Sequence, residues 1–356
     1  MAFEVKYSTL DRLIHRVAFS NTSLQFTAAD IEQHVFSGSY EGVNTAKPIF
    51  ITSLPRAGTT LMLEALYRLP SLATHTYRDM PFVMAPVLWS RLSGSFRKRS
   101  ELKERAHGDG MQVGLDSPEA FEEILWHAFW PEKYGNTCID IWNMGDAKEE
   151  ATTFITDHMR KIISLRCPDR KDDGRYVSKN NGNIARIDLI KHMFPDARLL
   201  IPVRNPLEHS ASLHRQHHNF IKMHQSEPFV RRYMRDIGHF EFGDLHKPIA
   251  FPGLDTWISK WDPKSNNYWL AYWIAAYEYV LDRRDSAILV SYEQTCMNAH
   301  SGLAEICEQL GVDTEGMLDS IAALFHHPPH AQANHDQLDP VLRENAKELH
   351  HELLTK

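Results

Sequence analysis

Cysteine is scarce in this chain: 356 residues contain only Cys138, Cys167, Cys296 and Cys307. These four show no C-x-x-C spacing and are too sparse for the disulfide framework of a secreted scaffold, so a reducing, cytoplasmic setting is the simplest expectation. Long apolar runs are also missing. The opening MAFEVKYSTLDRL has no apolar core of signal-peptide length. The best candidate for a membrane span, YWLAYWIAAYEYVL from Tyr268 to Leu281, is interrupted by Glu278. It falls short of the ~20 residues a spanning helix needs and reads as a buried helix. An excess of positive charge is absent, with 39 Lys and Arg against 46 Asp and Glu and a net charge of -7. This excludes a general binder of nucleic acid or of anionic membranes. Any anionic ligand must be held by a local cluster of cations and backbone N–H groups. Repeats, low-complexity tracts and Gly/Ser linkers are lacking too. The expected organisation is a single domain over residues 48–356 behind an N-terminal helical extension over residues 1–47.

What is present is an alternation of strand and helix signals. Ser8 with Asp11 reads as a capping box, and Thr27 with Asp30 as a second helix start. Pro48-Ile49-Phe50-Ile51 is a short apolar run, followed by a turn and an amphipathic helix ending near Pro70. Leu72 to Tyr77 suggests a second short strand. Pro81 to about Asp172 is mostly helical in pattern, with Ser117 as a cap and Pro118 in the first turn of SPEAFEEILWHAFW. GRYVSKNNGN, RLLIPV and SAILVSYE then read as strands, each followed by a helical segment, and Asp339-Pro340 opens a final capped helix. Strands alternating with helices indicate an α/β fold, a P-loop-like parallel sheet flanked by helices.

The stretch that carries chemistry is TSLPRAGTT, between the first strand and its helix. Gly58 lets a ligand approach the backbone. Thr59 and Thr60 open the helix, where free N–H groups and the macrodipole favour an anion. Arg56 adds a planar cationic fork. Phosphate or sulfate suits such a turn. It is not a Walker A loop, because Thr59 rather than lysine follows the only glycine and no apolar run ending in Asp supplies a Walker B partner.

PRAGTTLM resembles the 5′-phosphosulfate loop of the sulfotransferases that use 3′-phosphoadenosine 5′-phosphosulfate (PAPS), in the form found in tyrosylprotein sulfotransferases and bacterial relatives. The resemblance implies the sulfotransferase fold, with Arg56 neutralising the bridging oxygen and Ala57, Gly58, Thr59 and Thr60 holding the 5′-phosphate. It also implies a 3′-phosphate site made by an arginine at a strand end and a serine eight residues later. RLLIPVRNPLEHSAS supplies these as Arg204 and Ser212, behind a family-like FPDARLL. The segment LVSYEQT is similar to one whose tyrosine lies by the adenine, which implies Tyr292. Lys179 in YVSKNNGN matches a lysine near the transferred sulfate, with Asn181 where the family has proline.

The implied reaction is in-line transfer of a sulfuryl group from PAPS to a hydroxyl or amine of a small-molecule, glycan or lipid acceptor. The alternatives are a P-loop-like nucleotide kinase and a non-catalytic nucleotide-binding relative. The family's Glu-Glu pair aligns with Thr76 and Tyr77, so the proton acceptor is sought nearby, with Asp79 first and His75 second. Glu119, Glu122 and Glu123 are further carboxylates, read by default as a solvated helix face. The 21 histidines include HRQHH, with His214, His217 and His218, and FHHPPH; neither has metal-ligand spacing, so no metal is expected. HGDGMQVG follows a charged run rather than a strand and is not a dinucleotide site.

Overall fold

The computed structural model describes residues 9–94, 103–104, 112–326 and 338–355. Its centre is a five-stranded sheet made of β1 (Ile49–Ile51), β2 (Leu72–Ala73), β5 (Arg175–Lys179), β6 (Arg198–Val203) and β7 (Ile288–Ser291). Two further strands, β3 (Lys103–Glu104) and β4 (Gln112–Val113), form a separate antiparallel pair. The order in the main sheet is β2-β5-β1-β6-β7, with every pairing parallel.

A parallel sheet is covered on both faces, which is why β1 and β6 are continuous apolar runs. Successive residues serve opposite faces. Phe50, Leu199, Ile201, Val203 and Tyr176 join one core with the buried helix Asn266–Leu281. Ile49, Ile51, Leu200 and Val177 join the other, against Met62, Leu63 and Leu66 of helix Thr59–Tyr67 and Leu303 and Ile306 of helix Ala299–Leu310.

Topology places the site. The chain leaves β1 toward β2 on one side of the sheet and leaves β6 toward β7 on the other. Adjacent β1 and β6 therefore mark the switch point where open α/β sheets bind ligands, beyond the carboxyl ends of the strands.

Three local expectations are corrected. The second helix runs over Thr22–Tyr40 with Asn21 as its cap, accepting from Ser23 N; Thr27 lies inside it, its hydroxyl donating back to the Ser23 carbonyl. The second strand stops at Ala73, because Thr76 caps a short turn over Tyr77–Asp79. Ser117 does not open a helix. Its carbonyl accepts from Tyr77 N, its hydroxyl accepts from Gly114 N, and Glu119 N donates to the His75 carbonyl. Backbone groups committed to that neighbour cannot also build a helical turn, so the helix begins later, over Glu123–Phe129.

The N-terminal helices are tied to the body by a buried pair, Lys161 to Glu32 at 3.0 Å, and by Leu88 N donating to Glu32 at 2.6 Å. Among the described residues no helix is long and apolar enough to cross a membrane, and all four cysteines are unpaired. HGDGMQVG and FHHPPH lie largely outside the described residues.

Candidate active site at the switch point of the sheet

The loop after β1 is built around two left-handed residues, Arg56 at φ 73° and Gly58 at φ 90°. A non-glycine residue in that region is uncommon and held by its surroundings. The holding groups are identifiable. The Arg56 carbonyl accepts from Arg204 Nη1 at 2.9 Å, and its Nε lies 3.5 Å from Ser212 Oγ. The Pro55 carbonyl accepts from His209 Nε2 at 2.7 Å, while Nδ1 of that ring accepts from Trp273 Nε1 at 3.2 Å. A carbonyl can only accept and an indole N–H can only donate, so His209 carries its proton on Nε2. Burial, then the nearby cations Arg204 and Arg56, depress its pKa to about 3 and keep it neutral.

Gly58 is required for space as well as for its backbone angle. A Cβ there would sit 2.4 Å from Tyr292 Cδ2. Tyr292 follows β7, level with Arg204 after β6 because Val203 pairs with Ser291. The Arg204 guanidinium lies 5.4 Å from the centroid of the Tyr292 ring. No side chain caps helix Thr59–Tyr67, so its first N–H groups are available to an anion. Arg56, Ala57, Gly58, Thr59, Thr60, Arg204, Ser212 and Tyr292 are thus gathered at one switch point.

Lys179 ends β5, next to β1. Beyond it, Asn181 bridges two elements: its Oδ1 accepts from Thr59 Oγ1 and its Nδ2 donates to Glu241 Oε1, each at 3.3 Å. Glu241 Oε2 is 3.0 Å from His239 Nδ1, and a quarter of its side-chain surface is open. Burial would raise its pKa, but His239 and then Lys179 hold the carboxyl at about 2.

The carboxylates expected from sequence are placed differently. Asp79 is 2% exposed and His75 1%. Asp79 accepts from Arg166 at 2.5 Å and from Thr76 N at 2.9 Å, and it lies 3.6 Å from His75 Nδ1. Burial would raise its pKa, but Arg166, then His75, keep it below the usual carboxylate range. His75 Nε2 in turn meets His158 Nε2 at 3.1 Å.

Glu122 and Glu123 are not a solvated face, at 1% and 8% exposed. Glu123 takes both guanidinium nitrogens of Arg186 at 2.7 Å, and also Asn180 Nδ2 and the Tyr134 hydroxyl. The Arg186 guanidinium lies over Trp142 and Trp126. Glu122 accepts from Trp126 Nε1, Asn183 Nδ2 and the Tyr176 hydroxyl. Glu119 alone of the three stays part-exposed, accepting from the Tyr77 hydroxyl.

His214 and His218 meet through their Nε2 atoms at 3.0 Å. Among the described residues no group of three or more His, Cys, Asp or Glu is arranged to hold a metal. Sequence reasoning missed His209, Asn180, His239 and Glu241. His209 was one histidine in a histidine-rich run, and nothing local marks the others.

Fold and site together define a class: an α/β protein whose strand–loop–helix leaves an uncapped helix start at the switch point of a parallel sheet. A model of the Sulfotransferase family matches residues 48–243, more than half of the chain, and the chain belongs to that family; it is a transferase. Sulfotransferase STF9 from Mycobacterium avium shares the fold, at 13% identity and a TM-score of 0.53 over 99% of this chain and 87% of that one. Sulfotransferase STF1 from Mycobacterium tuberculosis H37Rv aligns at 12% identity and a TM-score of 0.49, over 99% and 88%. No curated protein matches the chain.

Proposed function

We propose that this enzyme transfers a sulfuryl group from PAPS to a hydroxyl or amine of a small-molecule, glycan or lipid acceptor. The observation that carries the reading is the meeting of the β1 loop with the arginine that ends β6. Arg204 reaches back to the Arg56 carbonyl while Arg56 reaches Ser212. One anion site beside a second cationic site, next to an aromatic ring, suits a nucleotide with phosphate at both its 5′ and 3′ positions. The residues fit that ligand in two further respects. Arg204 Nε is buried without a hydrogen-bond partner, and the Gly58 backbone is bare of any Cβ beneath Tyr292.

In this reading the N–H groups from Ala57 to Thr60 hold the 5′-phosphate, Arg204 and Ser212 the 3′-phosphate, and Tyr292 borders the adenine. PAPS supplies an activated sulfuryl group whose departure leaves charge on a phosphate oxygen. Arg56 and Lys179 face that developing charge as fixed cations, and such preorganised electrostatics is usually the largest catalytic term. The loop, locked by His209 and Arg204, orients the donor for in-line attack. Asp79 and His75 are supported better as scaffold than as proton acceptor. Residues 48–356 act as one domain with residues 1–47 attached, and the unpaired cysteines favour a cytoplasmic location.

A nucleotide kinase is the competing reading, and titration calorimetry without magnesium separates the two. Adenosine 3′,5′-bisphosphate is expected to bind more tightly than ADP, and Arg204→Ala to weaken it by about 2–4 kcal/mol, the scale of removing one partner of a buried charged contact. Equal or tighter binding of ADP would contradict the 3′-phosphate assignment and favour the kinase.

A further inference from the structure

The sequence offers no carboxylate at the two positions where the resemblance expects one, and the nearby Asp79 is sealed against Arg166. We propose that Glu241, paired with His239, takes the proton from the acceptor, an assignment that rests on the PAPS reading above.

Three observations converge on Glu241. It is connected to the donor loop by a two-bond chain, Glu241 to Asn181 to Thr59. Its partner Asn181 follows two residues after Lys179, whose charge acts on the carboxyl. About a quarter of its side-chain surface is exposed, although Oε2 itself is shut in against His239, whereas Asp79, Glu122 and Glu123 are closed.

Its backbone is fixed from both sides. His246 Nδ1 donates to the Glu241 carbonyl at 2.7 Å, with Nε2 of that ring 2.8 Å from the Tyr268 hydroxyl. Three residues earlier, Gly238 at φ 78° rests on Glu123, where a Cβ would fall 2.7 Å from Glu123 Cγ. The closed carboxylate thus seats the segment that presents the open one. Glu119 is also part-exposed, but its partners are Tyr77 and Ala120 N. These lie on the β2 side, two strands from β1.

The step balances. The acceptor oxygen or nitrogen forms its bond to sulfur as the bond from sulfur to the bridging phosphate oxygen breaks. The electron pair of the broken bond stays on that phosphate oxygen, facing Arg56 and Lys179. The acceptor's proton ends on the Glu241–His239 pair.

The test uses the full chain in excess over PAPS and follows release of adenosine 3′,5′-bisphosphate with two probe acceptors. One is water, which must lose a proton; the other is p-nitrophenolate, which arrives without one. Glu241→Gln is expected to slow transfer to water about 100-fold or more, the usual scale of general-base loss. It should leave bisphosphate affinity and transfer to p-nitrophenolate nearly unchanged. Glu241→Asp, which keeps the charge, should recover part of the rate to water.

Unchanged hydrolysis in Glu241→Gln overturns the assignment, as does the same loss with both acceptors, which is what a structural role predicts. Loss of hydrolysis in Glu119→Gln instead moves the base to the β2 side. A wild-type chain that binds no bisphosphate removes the donor reading itself, an outcome separate from any effect at Glu241.

Discussion

The carboxyl edge of the sheet has two halves built on opposite principles. At β1 and β6 the chain gathers cations around an uncapped helix start, and its strained backbone is braced by His209 and Arg204. At β2 and β5 it gathers carboxylates, and most of them are tied in place: Asp79 is paired with Arg166 and Glu123 with Arg186, while Glu122 is hydrogen-bonded by three neutral donors. A buried charge is tolerable only when paired and hydrogen-bonded. The carboxylate half therefore reads as a frame, with Glu241 left partly open within it. A cluster of acids around a site is not by itself a cluster of bases; burial and partners decide which acid can meet a substrate.

The largest effect should come from breaking the frame. Arg186→Leu strands the Glu123 carboxylate and is expected to destabilise the fold by about 3–5 kcal/mol in chemical denaturation. The molecules that remain folded should still bind adenosine 3′,5′-bisphosphate. If that binding were lost in proportion to nothing but Arg186, the two halves would not be separable.

Acid should reach the β1–β6 half through its brace. His209 is neutral in the fold, with a pKa near 3 against the ordinary 6.5. Between those values the unfolded chain binds a proton that the folded chain refuses. Stability therefore falls as pH drops from about 6.5 toward 3, by about 1.4 kcal/mol per pH unit from this group. His209→Gln should flatten the slope of denaturation free energy against pH by that amount. An unchanged slope would show that His209 is not held neutral.

The smallest effect is expected at Ser212. Ser212→Ala should weaken bisphosphate binding by about 1 kcal/mol, the net worth of one hydrogen bond, with little change in stability. A loss as large as that of Arg204→Ala would mean that Ser212 organises the site through Arg56 rather than contacting phosphate alone.

Much of this arrangement was legible in the chain because it is local. A strand, a glycine turn and a hydroxyl-rich helix start occupy consecutive residues from Pro48 to Leu69, and Arg204 and Ser212 sit on one strand–helix unit. Backbone propensity and short-range geometry suffice to read such units, and the two continuous apolar strands pointed to a sheet covered on both faces. The order of the strands was not written in any segment, yet it alone brings Arg204 to the Arg56 carbonyl across 148 residues of chain. The same holds for the acids. Ser117, Glu122 and Glu123 look like the opening of a solvated helix until Tyr77 and His75 claim the backbone groups of Ser117 and Glu119 and Arg186 arrives from another element. Sequence by itself determined the strand–glycine–helix loop, the position of the second arginine at a strand end and the fold class, since these depend on residues close in the chain. Tertiary structure decided which carboxylates are closed and which one is open, since charge burial is settled by partners that lie far away in sequence.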